Sequence, residues 1–194
     1  MIKQEIILAS QSQRRQELLS LMDIKFKAIK PDFDEDSVKF EDSNIKKYAI
    51  DIAEGKCLNV SEKNKNDIIL GADTIVYLDN TILGKPKDKN QAYDYLSLLS
   101  GKTHKVITGI YFYHYNKDIK ISDYSITDVT VQNLTDSEIK EYISSYTVLE
   151  AAGAYRIQDS FSKYILSLKG SYHNVVGLPV NKVYNCLKKI EKRL

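Results

Sequence analysis

Several features that define other protein classes are scarce or absent in this chain of 194 residues. It has only two cysteines, Cys57 and Cys186, whose separation gives no C-x-x-C or metal-ligand spacing, so a disulfide framework is excluded and a reducing compartment is indicated. The apolar run at residues 6–9 is shorter than the roughly 7–15 residues of a signal-peptide core and far shorter than the roughly 18 residues of a membrane span. No repeat, low-complexity tract or Pro/Gly-rich linker interrupts the chain. We therefore expect one cytoplasmic domain over residues 1–194, with no membrane partner.

An excess of charge of one sign is also lacking. Lys and Arg number 28 against 26 Asp and Glu, which gives a net charge of +2, too balanced for a domain that binds a nucleic-acid polymer. Apolar residues at 43% and charged residues at 28% are typical of a globular protein. Arginine is scarce, and two of the four arginines are adjacent, Arg14 and Arg15. Because only arginine offers a rigid fork for phosphate or carboxylate, this pair is informative.

Hydrophobic periodicity predicts strands that alternate with helices along the chain. Strands are predicted at 6–9, 26–28, 68–78, 81–83, 106–115, 119–131 and 164–168. Helices are predicted to open at Ser10 or Ser12, at Asp42 or Ser43, at the capping boxes that begin with Asp88 and Thr135, and at Pro179. Residues 170–177 read as a loop. This order predicts an α/β fold, a long twisted mixed sheet flanked by helices, with two lobes around a central cleft.

The first strand-to-helix junction combines hydroxyls with cations. Ser10 and Ser12 precede the helix, and Arg14 and Arg15 lie in its first turn, where the helix dipole favours anions instead. Free backbone N–H groups, hydroxyls and guanidinium forks can bind an anion together at such a junction. The alternative is an ordinary N-cap followed by two solvated arginines, and spacing alone leaves both open.

Two further charged residues lie where apolar residues are expected. Lys56 is in register with the apolar stripe of the helix that ends near Cys57, so its ammonium must either reach out past the helix end or enter a cleft, and Gly55 beside it weakens the helix for no local reason. Asp73 interrupts a buried strand in Gly71-Ala72-Asp73-Thr74. Such a carboxylate can bind Mg²⁺ or orient an attacking water, or it can cap its own turn.

Weaker candidates surround these two. Lys85, in Gly84-Lys85-Pro86, follows a hairpin near the same sheet end, although a lone exposed lysine is usually only solvated. Asp34 and Glu35 belong to an acidic loop and could supply further metal oxygens, or they could be merely solvated. Cations and carboxylates without a nucleophile or a redox group suit triphosphate chemistry, in which cations hold the oligophosphate, carboxylates hold the metal and water attacks phosphorus.

Other motifs fail on context. Ser100-Gly101-Lys102-Thr103 resembles the end of a phosphate-binding loop, but Leu96 stands where the first glycine is needed and a helix precedes it. The three histidines have no mutual zinc spacing, and no serine lies in a G-x-S-x-G elbow. We assign neither zinc nor a catalytic triad.

Six motifs in order make the chain resemble the Maf family of nucleoside triphosphate pyrophosphatases, with a Maf/ITPase-like fold. The motifs are Leu8-Ala9-Ser10-x-Ser12-x-Arg14-Arg15-x-Glu17-Leu18-Leu19, Gly71-Ala72-Asp73-Thr74, Gly84-Lys85-Pro86, Ser100-Gly101-x-Thr103-His104-x-Val106-x-Thr108, Gly153-Ala154-Tyr155-x-Ile157-Gln158 and Gly170-Ser171-Tyr172-x-Asn174-Val175-Val176-Gly177-Leu178-Pro179. Together they span essentially the whole chain.

The resemblance implies hydrolysis of a nucleoside triphosphate between its α and β phosphates, with a divalent cation, Mg²⁺ or Mn²⁺, and a homodimer. It implies that Asp73 is the general base and a metal ligand and that Glu35 helps to place the metal. The implied substrate-binding residues are Ser10, Ser12, Arg14, Arg15, Lys56, Thr74, Lys85 and Gln158.

Arg14, Thr74 and Gln158 match the family branch that acts on dTTP and UTP, and an amide can pair with the imide edge of thymine or uracil. The competing hypothesis is a nucleotide-binding regulator of septum formation that does not need turnover.

Overall fold

The computed structural model describes residues 4–40 and 44–194. The strands are β1 (Ile6–Leu8), β2 (Phe26–Ala28), β3 (Ile68–Leu78), β4 (Thr81–Leu83), β5 (Thr103–His114), β6 (Ile119–Val131) and β7 (Ile165–Lys169). The α-helices are α1 (Gln13–Ser20), α2 (Ile45–Ser61), α3 (Lys89–Leu99), α4 (Asp136–Ser145), α5 (Tyr172–Val176) and α6 (Val180–Glu191). Most of these elements agree with the predicted ones to within two or three residues.

The strands form one mixed sheet in the order β2-β1-β3-β5-β6-β7, and β4 pairs with β3. β1 runs parallel to both β2 and β3, whereas β4 is antiparallel to β3 and β7 is antiparallel to β6. The β3–β4 hairpin turns through Asp79 and Asn80, which both have positive φ, as a two-residue hairpin turn requires. The predicted mixed α/β sheet with flanking helices is confirmed.

The chain divides into two compact units. The first comprises Met1–Thr74, Thr108–Ser125 and Gly177–Leu194, and the second comprises Ile75–Ile107 and Ile126–Val176. These units correspond in number to the two predicted lobes. The expected cleft, and the assignment of residues 1–194 to a single domain, stay predictions.

In the first unit, α2 packs closely against the sheet because two strand residues are glycines. A Cβ at Gly71 of β3 would lie 2.0 Å from the carbonyl oxygen of Ala53, and a Cβ at Gly109 of β5 would lie 2.4 Å from the carbonyl carbon of Ala49. Backbone atoms cannot move aside as a side-chain tip can, so only glycine permits this approach. The close packing brings the buried stripe of α2, including Lys56 and Cys57, against the sheet.

The second unit has its own core, in which α3 and α4 contribute apolar faces alongside strand residues such as Val76 and Val129. The predicted capping box of α4 is confirmed: Thr135 Oγ1 accepts from the Glu138 N–H at 3.3 Å, and Glu138 Oε2 accepts from the Thr135 N–H at 2.7 Å. At α3 only half of the predicted box forms. Asp88 accepts from the Gln91 N–H, but the Gln91 side chain accepts from the Lys87 N–H instead.

Residues 170–177 were predicted as a loop, and this prediction is wrong because five of them form α5. The side chain of Asn174 is fully buried and donates to Val106 O and to Thr127 Oγ1, both at 2.9 Å. One buried amide with two partners fixes the segment, and five residues are too few to show a helical period. The predicted cap at Asp42 or Ser43 falls outside the described residues, and the Asn44 side chain accepts from the Lys47 N–H at the start of α2.

Candidate active site

The guanidinium of Arg15 is fixed by three oxygen acceptors that carry no formal charge. Its Nε donates to Gly177 O at 2.9 Å, Nη1 to Ser10 Oγ at 3.3 Å and Nη2 to Thr74 Oγ1 at 3.2 Å. A guanidinium has five N–H donors, so two are left unused by the described residues. Arg15 is therefore positioned by neutral groups and keeps both its charge and two donors for an anion.

The start of α1 carries the other predicted anion-binding groups. Ser12, one of the two predicted caps, occupies the N-cap position, but its side chain makes no capping hydrogen bond; its own N–H donates to Ser10 Oγ at 3.2 Å. No acidic residue lies in the first turn, where Arg14 is half-buried. The N-cap side chain therefore does not cap the helix, and N–H groups at the start of a helix are the groups that bind phosphate at helix N-termini.

Lys56 lies between two carboxylates. Its Nζ is 2.6 Å from Asp73 Oδ1 and 2.9 Å from Glu35 Oε1, and the Lys56 and Asp73 side chains are largely buried whereas that of Glu35 is 46% exposed. Of the two directions predicted for Lys56, the structure shows the inward one. Asp73 Oδ1 and Glu35 Oε1 can be no farther apart than the sum of those distances. The Lys56 ammonium therefore holds the two carboxylates close together.

Gly55, the residue before Lys56, explains how Glu35 comes close to the Lys56 ammonium. A Cβ at Gly55 would lie 2.2 Å from Cζ of Phe33, so the ring of Phe33 packs where an alanine methyl group would be. Phe33 precedes a 3-10 turn at Glu35–Ser37, and its contact with α2 holds this acidic segment over the helix. The glycine that the helix period left unexplained therefore positions the second carboxylate.

The cations and carboxylates of the first unit act on one another electrostatically. Burial lowers the pKa of Arg15, and the negative charges of Asp73 and Glu35 oppose this shift. Burial, followed by the charges of Asp73, Asp36 and Glu35, raises the pKa of the Tyr48 phenol on α2. Asp73 and Thr74 are consecutive, so the Lys56 cluster and the Arg15 network adjoin along β3.

The acids suit a hard divalent cation only in part. Mg²⁺ is usually held by one or two carboxylates together with water and substrate phosphate oxygens, and Asp73 and Glu35 supply that number. Within 4–40 and 44–194, no group of three or more His, Cys, Asp or Glu side chains could hold a metal ion. Asp34 accepts from the Asp36 N–H at 3.1 Å and so caps its own turn. The donor set thus fits a cation completed by the oxygens of a bound phosphate.

Lys85 and Gln158 belong to the second unit. Lys85 is exposed after β4, and Gln158 is exposed between Ile157, which is buried, and Asp159, which is half-buried. The two motifs that contain them are joined, because the Gly153 N–H donates to Gly84 O at 3.0 Å. Their convergence with the cations of the first unit stays a prediction.

Sequence reasoning missed two members of the Arg15 network. The Thr108 hydroxyl on β5 lies 3.0 Å from Thr74 Oγ1 and is fully buried, and Gly177 O accepts from both Arg15 and Thr74. The available signal was a hydroxyl within a long buried strand, which needs a partner. Carbonyl groups have no sequence signal of their own, so Gly177 could be found only in three dimensions.

Both cysteines are buried and free, as small hydrophobic residues would be. Burial raises the pKa of both thiols, that of Cys186 to about 11. Among the described helices, none has the length and apolarity needed to cross a bilayer.

The fold and the charges define an α/β protein in which a helix start with two arginines adjoins a pair of carboxylates. The model of the family described as Maf-like protein matches residues 5–190, and the chain belongs to this family. A dTTP/UTP pyrophosphatase of Clostridium botulinum (strain Eklund 17B / Type B) is 45% identical over 185 residues, covering 95% of this chain and 98% of the relative. A dTTP/UTP pyrophosphatase of Clostridium beijerinckii is 44% identical over 188 residues, covering 96% and 100%.

A solved structure of a HAM1 protein from Coxiella burnetii shares the fold. It aligns with a TM-score of 0.52 at 15% sequence identity and covers 95% of this chain and 98% of its own. At this identity the likeness supports the architecture alone.

Proposed function

We propose that this protein hydrolyses nucleoside triphosphates, dTTP and UTP foremost, between the α and β phosphates, releasing a nucleoside monophosphate and pyrophosphate. Its relatives named dTTP/UTP pyrophosphatase align over nearly the whole chain. The observation that carries the proposal for this chain is Lys56 Nζ between Asp73 and Glu35, next to an Arg15 guanidinium with donors to spare. Acids and cations therefore lie next to each other along β3.

The proposed chemistry depends on which polar atoms of the site already have a hydrogen-bond partner. Asp73 Oδ1 is bonded to Lys56, whereas Oδ2 has no hydrogen bond to a described residue and is left to accept a proton from water. Arg15 and the N–H groups at the start of α1 would hold phosphate oxygens and stabilise the negative charge that grows during hydrolysis. Lys85 would add a further cation, and Gln158 would read the base.

A divalent cation, Mg²⁺ or Mn²⁺, is part of the proposal. Asp73 and Glu35 would hold it together with phosphate oxygens, and when bound it would neutralise charge on the phosphates. Lys56 would then give up its position between the two acids and become available to the phosphates. A homodimer and a cytoplasmic location belong to the proposal as well and stay predictions.

Pyrophosphate release from dTTP, UTP, CTP and GTP, with Mg²⁺ or Mn²⁺, tests the function. We expect Asp73→Asn to abolish release and to leave nucleotide binding measurable, because the amide cannot act as the base but fills the same space. Asp79→Asn is the matched control, since Asp79 is an exposed acid in the hairpin turn that follows the same strand and its positive φ suits asparagine.

Full turnover by Asp73→Asn would remove Asp73 from its role. Wild-type protein that binds nucleotides but releases no pyrophosphate from any of them would instead favour the regulatory hypothesis.

A further inference from the structure

Gln158 is the exposed residue of a tight turn in the second unit. The Asp159 N–H donates to Arg156 O at 3.4 Å and closes the turn over residues 156–159. Ile157 within the turn is buried, whereas Gln158 is exposed. The turn therefore anchors itself in the core through one side chain and presents the next one outward.

One hydroxyl group holds both ends of this turn. Tyr142 Oη accepts from the Arg156 N–H at 3.2 Å and donates to the carboxylate of Asp159, at 3.0 Å from Oδ1 and 3.2 Å from Oδ2. The same Asp159 Oδ1 accepts from the Phe161 N–H at 3.0 Å. Burial raises the pKa of Tyr142, so the hydroxyl keeps the proton that it donates. Gln158 thus lies between two residues that share one bonded partner.

The position of the hydroxyl is itself fixed by packing. Tyr142 is buried on α4, its ring centroid 5.0 Å from that of Phe161 and 5.0 Å from that of Tyr146, on which it stacks. At the other end of the segment, the Tyr155 hydroxyl lies 2.7 Å from His104 Nε2 on β5. An aromatic cluster therefore determines where the turn lies.

Holding the turn matters because an amide does not discriminate by itself. Uracil and thymine present a donor at N3 and an acceptor at O4, whereas cytosine presents an acceptor at N3 and a donor at the neighbouring amino group. A glutamine amide pairs with either base after a half-rotation that exchanges its oxygen and nitrogen. Selectivity for the imide bases requires a fixed side-chain position in which one orientation is preferred.

We propose that Tyr142 is a positioning residue for base discrimination, its hydroxyl holding the Arg156–Asp159 turn so that Gln158 presents its amide in one orientation. The inference rests on the proposed assignment of Gln158 to the base. It adds a buried residue on another element that acts through Gln158 and touches no substrate itself.

Tyr142→Phe removes only the hydroxyl and leaves the ring in its packing. The measurement is the ratio of the dissociation constants for the α,β-imido analogues of CTP and dTTP, which requires no turnover. We expect the ratio to fall about tenfold, equivalent to about 1.4 kcal/mol. Tyr146→Phe is the matched control, since Tyr146 stacks on Tyr142 and its hydroxyl has no hydrogen bond to a described residue; it should leave the ratio unchanged.

Tyr142→Phe in a Gln158→Ala background distinguishes an effect on the position of the Gln158 amide from a general loss of order in the second unit. If Tyr142 acts through Gln158, Tyr142→Phe changes the ratio in the wild-type background and leaves it unchanged once the amide is gone. An equal change in both backgrounds, an unchanged ratio in the wild-type background, or no nucleotide binding by the wild-type protein would overturn the inference.

If Tyr142→Phe does not fold, Asp159→Ala removes the other half of the clamp and carries the same expectation and the same refuting results. Loss of pyrophosphate release with base-selective binding intact would count against the proposed hydrolysis alone.

Discussion

Replacing Lys56 by methionine tests the centre of the charged cluster. Methionine keeps a similar length and an apolar stem but removes the ammonium that lies 2.6 Å from Asp73 Oδ1 and 2.9 Å from Glu35 Oε1. Lys56 is 5% exposed and Asp73 is 8% exposed, so the variant leaves a carboxylate in the protein interior without its partner.

The expected cost follows from the difference in burial of the two acids. Breaking a buried pair by removing one partner costs about 3–5 kcal/mol, because a charge stays behind uncompensated. Glu35, whose side chain is 46% exposed, adds at most about 1 kcal/mol. We therefore expect Lys56→Met to lower the free energy of unfolding by about 3–5 kcal/mol. At roughly 2–4 °C per kcal/mol for a chain of this length, the melting temperature falls by about 6–20 °C.

Urea denaturation and thermal unfolding of three variants provide the assay. Lys47→Met removes an ion pair with Asp51 on the surface of the same helix and should cost no more than about 0.5 kcal/mol. The double variant Lys56→Met/Asp73→Asn should recover more than half of the lost stability, because an amide needs no counter-charge. A loss below about 1 kcal/mol for Lys56→Met, or a double variant no more stable than the single one, would refute the reasoning.

Two further predictions concern the surroundings of the site. Gly55→Ala should keep stability within about 1 kcal/mol, because the gain in helix propensity offsets the displacement of the Phe33 ring, but it should lower turnover by moving Glu35. Gly71→Ala should destabilise the protein far more than Gly55→Ala, because its Cβ would clash with the backbone of α2. Equal shifts in melting temperature for the two alanine variants would contradict this. Burial lowers the pKa of His104 to about 4, against 6.5 when unfolded. The unfolded state then binds more protons than the folded state between pH 6.5 and 4. The free energy of unfolding therefore falls by roughly 3 kcal/mol as the pH is lowered from 6.5 to 4. His104→Gln should flatten this part of the curve of stability against pH, and an unchanged slope would show that His104 does not cause it.

The sequence predicted the elements well where periodicity was long. β3 carries a clear pattern over 11 residues and its bounds agree with the predicted ones, whereas α2 extends four residues beyond Cys57, the last residue of its predicted apolar stripe. The prediction failed at α5, where five residues fold around the buried Asn174. Local patterns predict what a segment does alone, and this segment is determined by partners on β5 and β6.

The candidate site divides in the same way. The residue types at Arg15, Lys56 and Asp73 already indicated anion and cation chemistry, because each was out of place for its element. The sequence offered two directions for Lys56, and only the contact with Asp73 decided between them. The role of Tyr142 could not be predicted, since a hydroxyl that holds a turn 14 residues away has no local signature.

By itself, the sequence determined the order of strands and helices, the kinds of charged group available, and the family, because these depend on residue identity and on neighbours within a few positions. Tertiary structure alone decided which groups share a partner: Lys56 with two acids, Arg15 with three neutral acceptors, and the Tyr142 hydroxyl with both ends of one turn. The physical reason is that ion pairs and hydrogen bonds act over about 3 Å in space, whatever the distance along the chain.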